Sequence, residues 1–145
     1  MAVEGGAWRT LSEFAVSSRA GNEREAIERV AAAVADLHLP AARVERLKSA
    51  VGEATMNAIE HGNQNRPELL VEVLVRASDT DVSVCISDQG GHTPIAAREE
   101  PDLAAKLAGR QSPRGWGLFL MKNLVDQVKL SVDEGHHMVE LIVRR

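Results

Sequence analysis

Glu53, Asn57 and Glu60 occur within the run Glu53-Ala54-Thr55-Met56-Asn57-Ala58-Ile59-Glu60-His61-Gly62. At about 3.6 residues per turn, a helix projects these three from one side and leaves Leu47, Val51, Ala54 and Ala58 as a separate apolar stripe. One face therefore packs and the other carries an acid and an amide. A carboxylate one turn before a neutral amide suits a proton acceptor beside a hard cation. The amide oxygen binds magnesium without adding charge that would repel phosphate. A solvated polar face is the ordinary meaning of such residues, so the neighbouring elements have to decide. His61 lies on the edge of the face bearing Asn57, where either ligand contact or packing at the helix end accounts for it.

That helix needs a sheet to pack on. Ser12 to Ser17 reads as a short strand, followed by the loop Ser17-Ser18-Arg19-Ala20-Gly21-Asn22. Asn22 is expected to cap a helix over Glu23 to Leu37, with Ile27, Val30, Ala31 and Val34 on its packed side. Pro40 begins the second helix, its fixed φ suiting a first turn. Gly62 ends it, because a missing Cβ favours termination there. Two alternating strands follow. Leu69, Val71, Val73 and Val75 share one face of the first, and Val82, Val84, Ile86 and Asp88 share one face of the second, with 78–81 as the turn between them.

Asp88 thus ends a strand on its apolar face, where a carboxylate is costly unless donors meet it. Backbone amides of the following loop could supply them, as could a ligand. Gly90 and Gly91 follow at once and let backbone approach a flat or phosphorylated ligand where a Cβ would obstruct it. Residues 92–114 then contain Pro94, Pro101 and Pro113, with a brief helical stretch around Leu103 to Leu107. A connection of this length in a small domain reads as a lid or binding loop. It closes on Arg114-Gly115-Trp116-Gly117-Leu118, which opens a helix from Leu118 to Val125. Free N–H groups and the positive end of the dipole at such a start form an anion site that the phosphates of a nucleotide fit.

The remaining elements read as structural. Val128, Leu130 and Val132 face inward, Glu134-Gly135 turns the chain, and Val139, Leu141 and Val143 return on a last strand. His136 and His137 are adjacent, point to opposite sides of that strand and do not share a metal easily. His38 and His92 read as ordinary polar residues. The 145 residues, 44% of them hydrophobic, make one domain that buries roughly two thirds of its unfolded surface. A net charge of −4 leaves no basic face for nucleic acid or anionic membrane. The single cysteine, Cys85, lies in an apolar strand pattern and is expected to be a small buried thiol. Met1 to Thr10 carries no leader pattern, and no apolar run approaches the ~20 residues that span a bilayer. A cytoplasmic protein is expected.

Three segments together resemble the nucleotide-binding boxes of the GHKL ATPases, which share the Bergerat fold. They are Glu53 with Asn57-Ala58-Ile59-Glu60-His61-Gly62, Asp88-Gln89-Gly90, and Gly115-Trp116-Gly117-Leu118, and they match in order and spacing. Within that superfamily the chain is most similar to the anti-sigma factor serine kinases, across the whole small domain, and Leu118-Phe119-Leu120-Met121 with Leu124-Val125-Asp126 strengthens the match. The resemblance implies a two-layer α/β sandwich (α+β), with helices on one face of a mixed, mainly antiparallel sheet. ATP would lie between the layers beneath a lid at about 92–114.

The resemblance also implies roles. Asn57 coordinates Mg2+ bridging the phosphates, Glu53 is general base toward the attacking hydroxyl, and Asp88 accepts from the adenine amino group. Gly90 makes room for the base, while Gly115, Gly117 and Leu118 offer backbone amides to the phosphates. Arg114 lies near where the lid places a cation toward the γ-phosphate, and His61 joins the nucleotide-binding set. The family's first glycine box commonly reads Asp-x-Gly-x-Gly. Here its second glycine position is His92, with Gly91 one place earlier, which bears on lid hinging and nucleotide affinity.

The function implied is an Mg·ATP-dependent serine/threonine protein kinase that phosphorylates a STAS-domain antagonist and sequesters a sigma factor, and the resemblance also suggests a homodimer. The same boxes would serve a nucleotide-gated binding module without kinase activity; retention of Glu53 favours the kinase. The catalytic domain of a sensor histidine kinase fits less well, since no hairpin bearing a phosphoacceptor histidine precedes the asparagine helix. Topoisomerase and chaperone ATPases of the superfamily carry transducing domains for which this length leaves no room.

Overall fold

In the computed structural model, the described residues are 7–89, 120–133 and 136–145. They form a five-stranded sheet with helices packed on one face. The chain runs through β1 (Arg9–Ser17), α1 (Glu23–Val34), a 3-10 turn (Ala35–Leu37), α2 (Ala41–Asn57), a π-helical turn (Ala58–Gly62), β2 (Leu70–Ala77), β3 (Asp81–Ser87), β4 (Gln127–Asp133) and β5 (His136–Arg144). Strand order is β1-β2-β3-β5-β4, and every pairing is antiparallel. The mainly antiparallel sheet expected from the sequence is thus wholly so among the described residues. β5 slots between β3 and β4, a placement that sequence order does not reveal.

Alternation along the strands builds the core. Val71, Val73 and Val75 on β2, Val82, Val84 and Ile86 on β3, and Leu141 and Val143 on β5 are buried on one face with Phe14 and Val16 of β1. Against them lie Ala26, Val30 and Val34 of α1, Leu47, Ala50, Val51 and Ala54 of α2, and Ile59 of the π turn. Full burial of one such aliphatic side chain contributes about 1.5–3 kcal/mol. The two helices approach closely at Gly52, where a Cβ would stand 2.9 Å from Ile27 Cδ1. Residues 120–124 are helical, and Met121 enters the same core at 2% exposure.

The structure corrects four local expectations. The first strand starts three residues earlier than Ser12, because pairing with β2 extends to Arg9↔Ala77 through an irregularity between Thr10 and Ser12. Asn22 sits at the α1 N-cap without capping it through its side chain. Its Nδ2 instead donates to the Ser17 carbonyl at 2.8 Å and to Ser17 Oγ at 3.0 Å, tying the helix start to the end of β1. Pro40 takes the N-cap position of α2 with extended ψ rather than its first turn. Leu130 and Val132, expected inward, are 38% and 55% exposed, since β4 is the edge of the sheet.

The opposite sheet face holds a polar cluster. Arg76 reaches Glu140 at 3.4 Å, Ser83 Oγ donates to the same carboxylate at 2.5 Å, and Arg76 stacks 5.3 Å from the Trp8 ring. Cys85 is buried at 7% exposure as expected, but beside this cluster rather than in the main core, with Ser83 Oγ 3.7 Å from its sulfur.

Candidate functional site

Glu53 and Asn57 lie on the last turn of α2, both half-buried. Four residues apart on a helix, they are surface neighbours about 5–6 Å apart at Cβ. The helix widens immediately after Asn57: Asn63 N–H donates to the Ala58 carbonyl at 2.8 Å, five residues back, and Ala58–Gly62 form one π turn. Such turns cluster at functional positions. A wider turn takes more residues per revolution, so Glu60 and His61 rotate away from where a straight helix to Gly62 would put them. Glu60 is exposed, and His61 Nε2 lies 4.0 Å from its Oε1.

Asp88 follows the last residue of β3, and its side chain is nearly buried, at 5% exposure. Among the described residues, the donors that its burial requires come from β5. His137 N–H donates to Oδ1 at 3.3 Å, and His137 Nδ1 lies 3.2 Å from Oδ2. The main chain is held as well: Asp88 N–H donates to the His137 carbonyl at 3.0 Å, and His136 Nδ1 lies 3.0 Å from the Asp88 carbonyl oxygen. Carbonyl and carboxylate oxygens only accept, so each imidazole carries its hydrogen on Nδ1. Both histidines grip Asp88, His137 by its carboxylate and His136 by its backbone.

Gly62 closes the site from the helix side. A Cβ built there would collide with the Asp88 carboxylate. Among the described glycines only Gly21 has a positive φ, so Gly62 is not required for a left-handed helix end. The left-handed residues that follow this turn are Gln64 and Asn65, two and three positions after Gly62. The glycine is needed because the acid occupies the space its side chain would fill, which brings the end of α2 and the end of β3 into direct contact.

Asn63 completes the frame. Fully buried, it donates through Nδ2 to Ser18 Oγ at 2.8 Å and to the Leu70 carbonyl at 3.0 Å, and its Oδ1 accepts from Gln89 N–H at 2.8 Å. Gln89 answers by accepting from Leu70 N–H at 2.5 Å. The residue after Asp88 is therefore fixed before the chain enters its glycines. His137, His136 and Asn63 were not singled out as site residues in the sequence; each acts on a partner far along the chain.

The structure thus sets the end of the helical segment that carries Glu53, Asn57 and His61 against Asp88, through Gly62. Gly90, Arg114, Gly115, Gly117 and Leu118, with the lid at 92–114, lie outside the described residues. The described groups fit an adenine nucleotide and a magnesium ion in kind. Each Asp88 oxygen takes one donor from His137 and keeps a lone pair for another, and Asn57 offers a neutral hard oxygen one turn from an acid. Among the described residues no group of three or more His, Cys, Asp or Glu could hold a metal ion by itself.

The chain is similar to known proteins in both sequence and fold. A family model described as histidine kinase-like ATPase domain matches residues 16–143. The chain is 34% identical over 113 residues to the anti-sigma F factor of Geobacillus stearothermophilus, covering 77% of this chain and 76% of that protein. It is 33% identical over 134 residues to the serine-protein kinase RsbW of Listeria monocytogenes serotype 4a, covering 89% and 73%. A crystal structure of the RsbU and RsbW domains of a Mycobacterium tuberculosis protein shares the fold, with a TM-score of 0.63 at 16% identity over 92% of this chain and 32% of that one.

Proposed function

Because the chain belongs to the histidine kinase-like ATPase domain family, among its anti-sigma factor kinases, we propose that it phosphorylates a STAS-domain antagonist on serine or threonine and sequesters a sigma factor. It is an ATP-binding protein kinase and anti-sigma regulatory factor. The observation that carries the site assignment is the buried Asp88 carboxylate held against Gly62, five residues beyond Asn57 on the same helical segment.

In this reading Asp88 accepts a hydrogen bond from the adenine amino group, and Gly90 leaves room for the base. Gly115, Gly117 and Leu118 offer amides to the phosphates, with Arg114 toward the γ-phosphate and His61 bordering the same space. Asn57 would hold Mg2+, which would supply positive charge to neutralise the phosphate oxygens. Phosphoryl transfer is mostly positioning and electrostatics, so a site this small suffices. Glu53 takes the proton of the acceptor hydroxyl as its oxygen bonds to the γ-phosphorus and the bridging oxygen leaves with ADP. The 145 residues are taken as one ATPase domain with its lid at 92–114, working as a homodimer. No described helix is long and apolar enough to cross a membrane. A sigma factor acts where RNA polymerase does, so we assign the protein to the cytoplasm.

The test incubates the protein with its recovered partners and γ-labelled Mg·ATP. Label is expected on a STAS-type protein with wild type. Glu53→Ala should bind ATP normally and transfer about 10²–10⁴-fold more slowly, the worth of a general base. Undiminished transfer by the variant removes Glu53 from that role. ATP binding without any transfer by wild type favours a nucleotide-gated module instead.

A further inference from the structure

A carboxylate that reads an amino group must present an oxygen in a set direction, because hydrogen bonds weaken steeply below about 120°. The terminal torsion of aspartate is broad and does not set that direction by itself. Around Asp88 one residue meets both oxygens: the His137 backbone N–H at 3.3 Å and its ring Nδ1 at 3.2 Å. The contact is well shielded, with the His137 and Asp88 side chains 13% and 6% exposed. Gly62 also lies against this carboxylate, which occupies the space a Cβ there would fill.

We propose that His137 is a positioning residue for base selection: its ring N–H sets the plane of the Asp88 carboxylate and thereby how strongly the site prefers a 6-aminopurine nucleotide. This rests on Asp88 as the adenine acceptor. His137 does not touch the nucleotide; it acts through Asp88, and its backbone donor persists whatever side chain stands there. Each oxygen keeps a lone pair after the His137 bonds, so positioning and base recognition are compatible.

The experiment titrates the full chain with Mg·ATP and with magnesium purine riboside triphosphate, which lacks only the 6-amino group, by calorimetry. Wild type is expected to prefer ATP. His137→Leu keeps volume and removes the ring donor, and should lower that preference about tenfold, the size of one misaligned charge-assisted hydrogen bond. Affinity for purine riboside triphosphate should change less than about twofold on the same argument. His137→Asn, which places an N–H near the position of Nδ1, should restore most of the preference. Should the leucine variant not fold, His137→Gln moves the donor outward by one methylene and is expected to show the same loss. Equal weakening of both nucleotides, or an intact preference in the leucine or glutamine variant, overturns the proposal. Asp88→Asn separates the two levels: it should abolish the preference. If it does so while the His137 variants do not, the adenine reading stands and the positioning role fails. If Asp88→Asn leaves the preference intact, the adenine reading itself falls, and the positioning role with it.

Discussion

Two glycines show how differently one residue type can be used. Gly21 has φ +98° and nothing within 4 Å of a built Cβ, so it serves the backbone alone. A side chain there meets the left-handed penalty, and Gly21→Ala should cost about 1–2 kcal/mol without affecting nucleotide. Gly62 serves a neighbour instead, since its missing side chain is the space that Asp88 fills. Gly62→Ala must displace either the acid or the π turn. Overpacking of this kind costs about 1–3 kcal/mol, and we expect ATP affinity to fall at least about tenfold as the carboxylate leaves His137. Urea unfolding and calorimetry on the two variants check this together. Retained ATP affinity in Gly62→Ala would mean that the acid can move without consequence. The sequence marked Gly62 as a helix stop, which it is in position though not in cause. The collision partner comes from a strand end 26 residues later, beyond the reach of local pattern.

At the scale of elements, the end of α2 is where local propensity was least informative. A continuous helix to Gly62 is what the residue types suggest, and a π turn over Ala58–Gly62 is what the fold adopts. The turn delivers Asn63 into a fully buried junction of the β1 end, the β2 start and the β3 exit. Burying an amide is costly unless its groups are paired, and here Nδ2 and Oδ1 all find partners. Asn63→Ala would strip a donor from Ser18 Oγ and the Leu70 carbonyl and leave Gln89 N–H without its acceptor. We expect a loss of about 1–3 kcal/mol in global stability, with faster amide exchange at Gln89 than at residues of the β3 interior. Exchange at Gln89 unchanged from wild type would show that the junction is held some other way. Asn22 teaches the same lesson in reverse. Its residue type and place both suggest a cap, yet its amide serves Ser17.

At the scale of the molecule, β5 carries both stability and site. Leu141 and Val143 are buried in the core, and the same strand brings His136 and His137 to Asp88. Leu141→Ala should cost about 2–5 kcal/mol, the range for a large buried aliphatic, while unfolding remains a single transition in urea. A cost below about 1 kcal/mol would mean that the site collapses around the lost volume or that β5 is not central. The sequence by itself determined which faces pack: alternation on β2 and β3 and the apolar stripe on α2 follow from side-chain period, and those residues are buried where expected apart from Leu69, which precedes β2 and is only partly buried. It likewise placed Glu53 one turn before Asn57, and Asp88 on the inward parity of β3, because those relations are local. Only the tertiary structure decided who meets Asp88. Parity tells a residue its face but not its neighbour, and the neighbour depends on β5 entering between β3 and β4. That long-range pairing sets His137 against an acid 49 residues away.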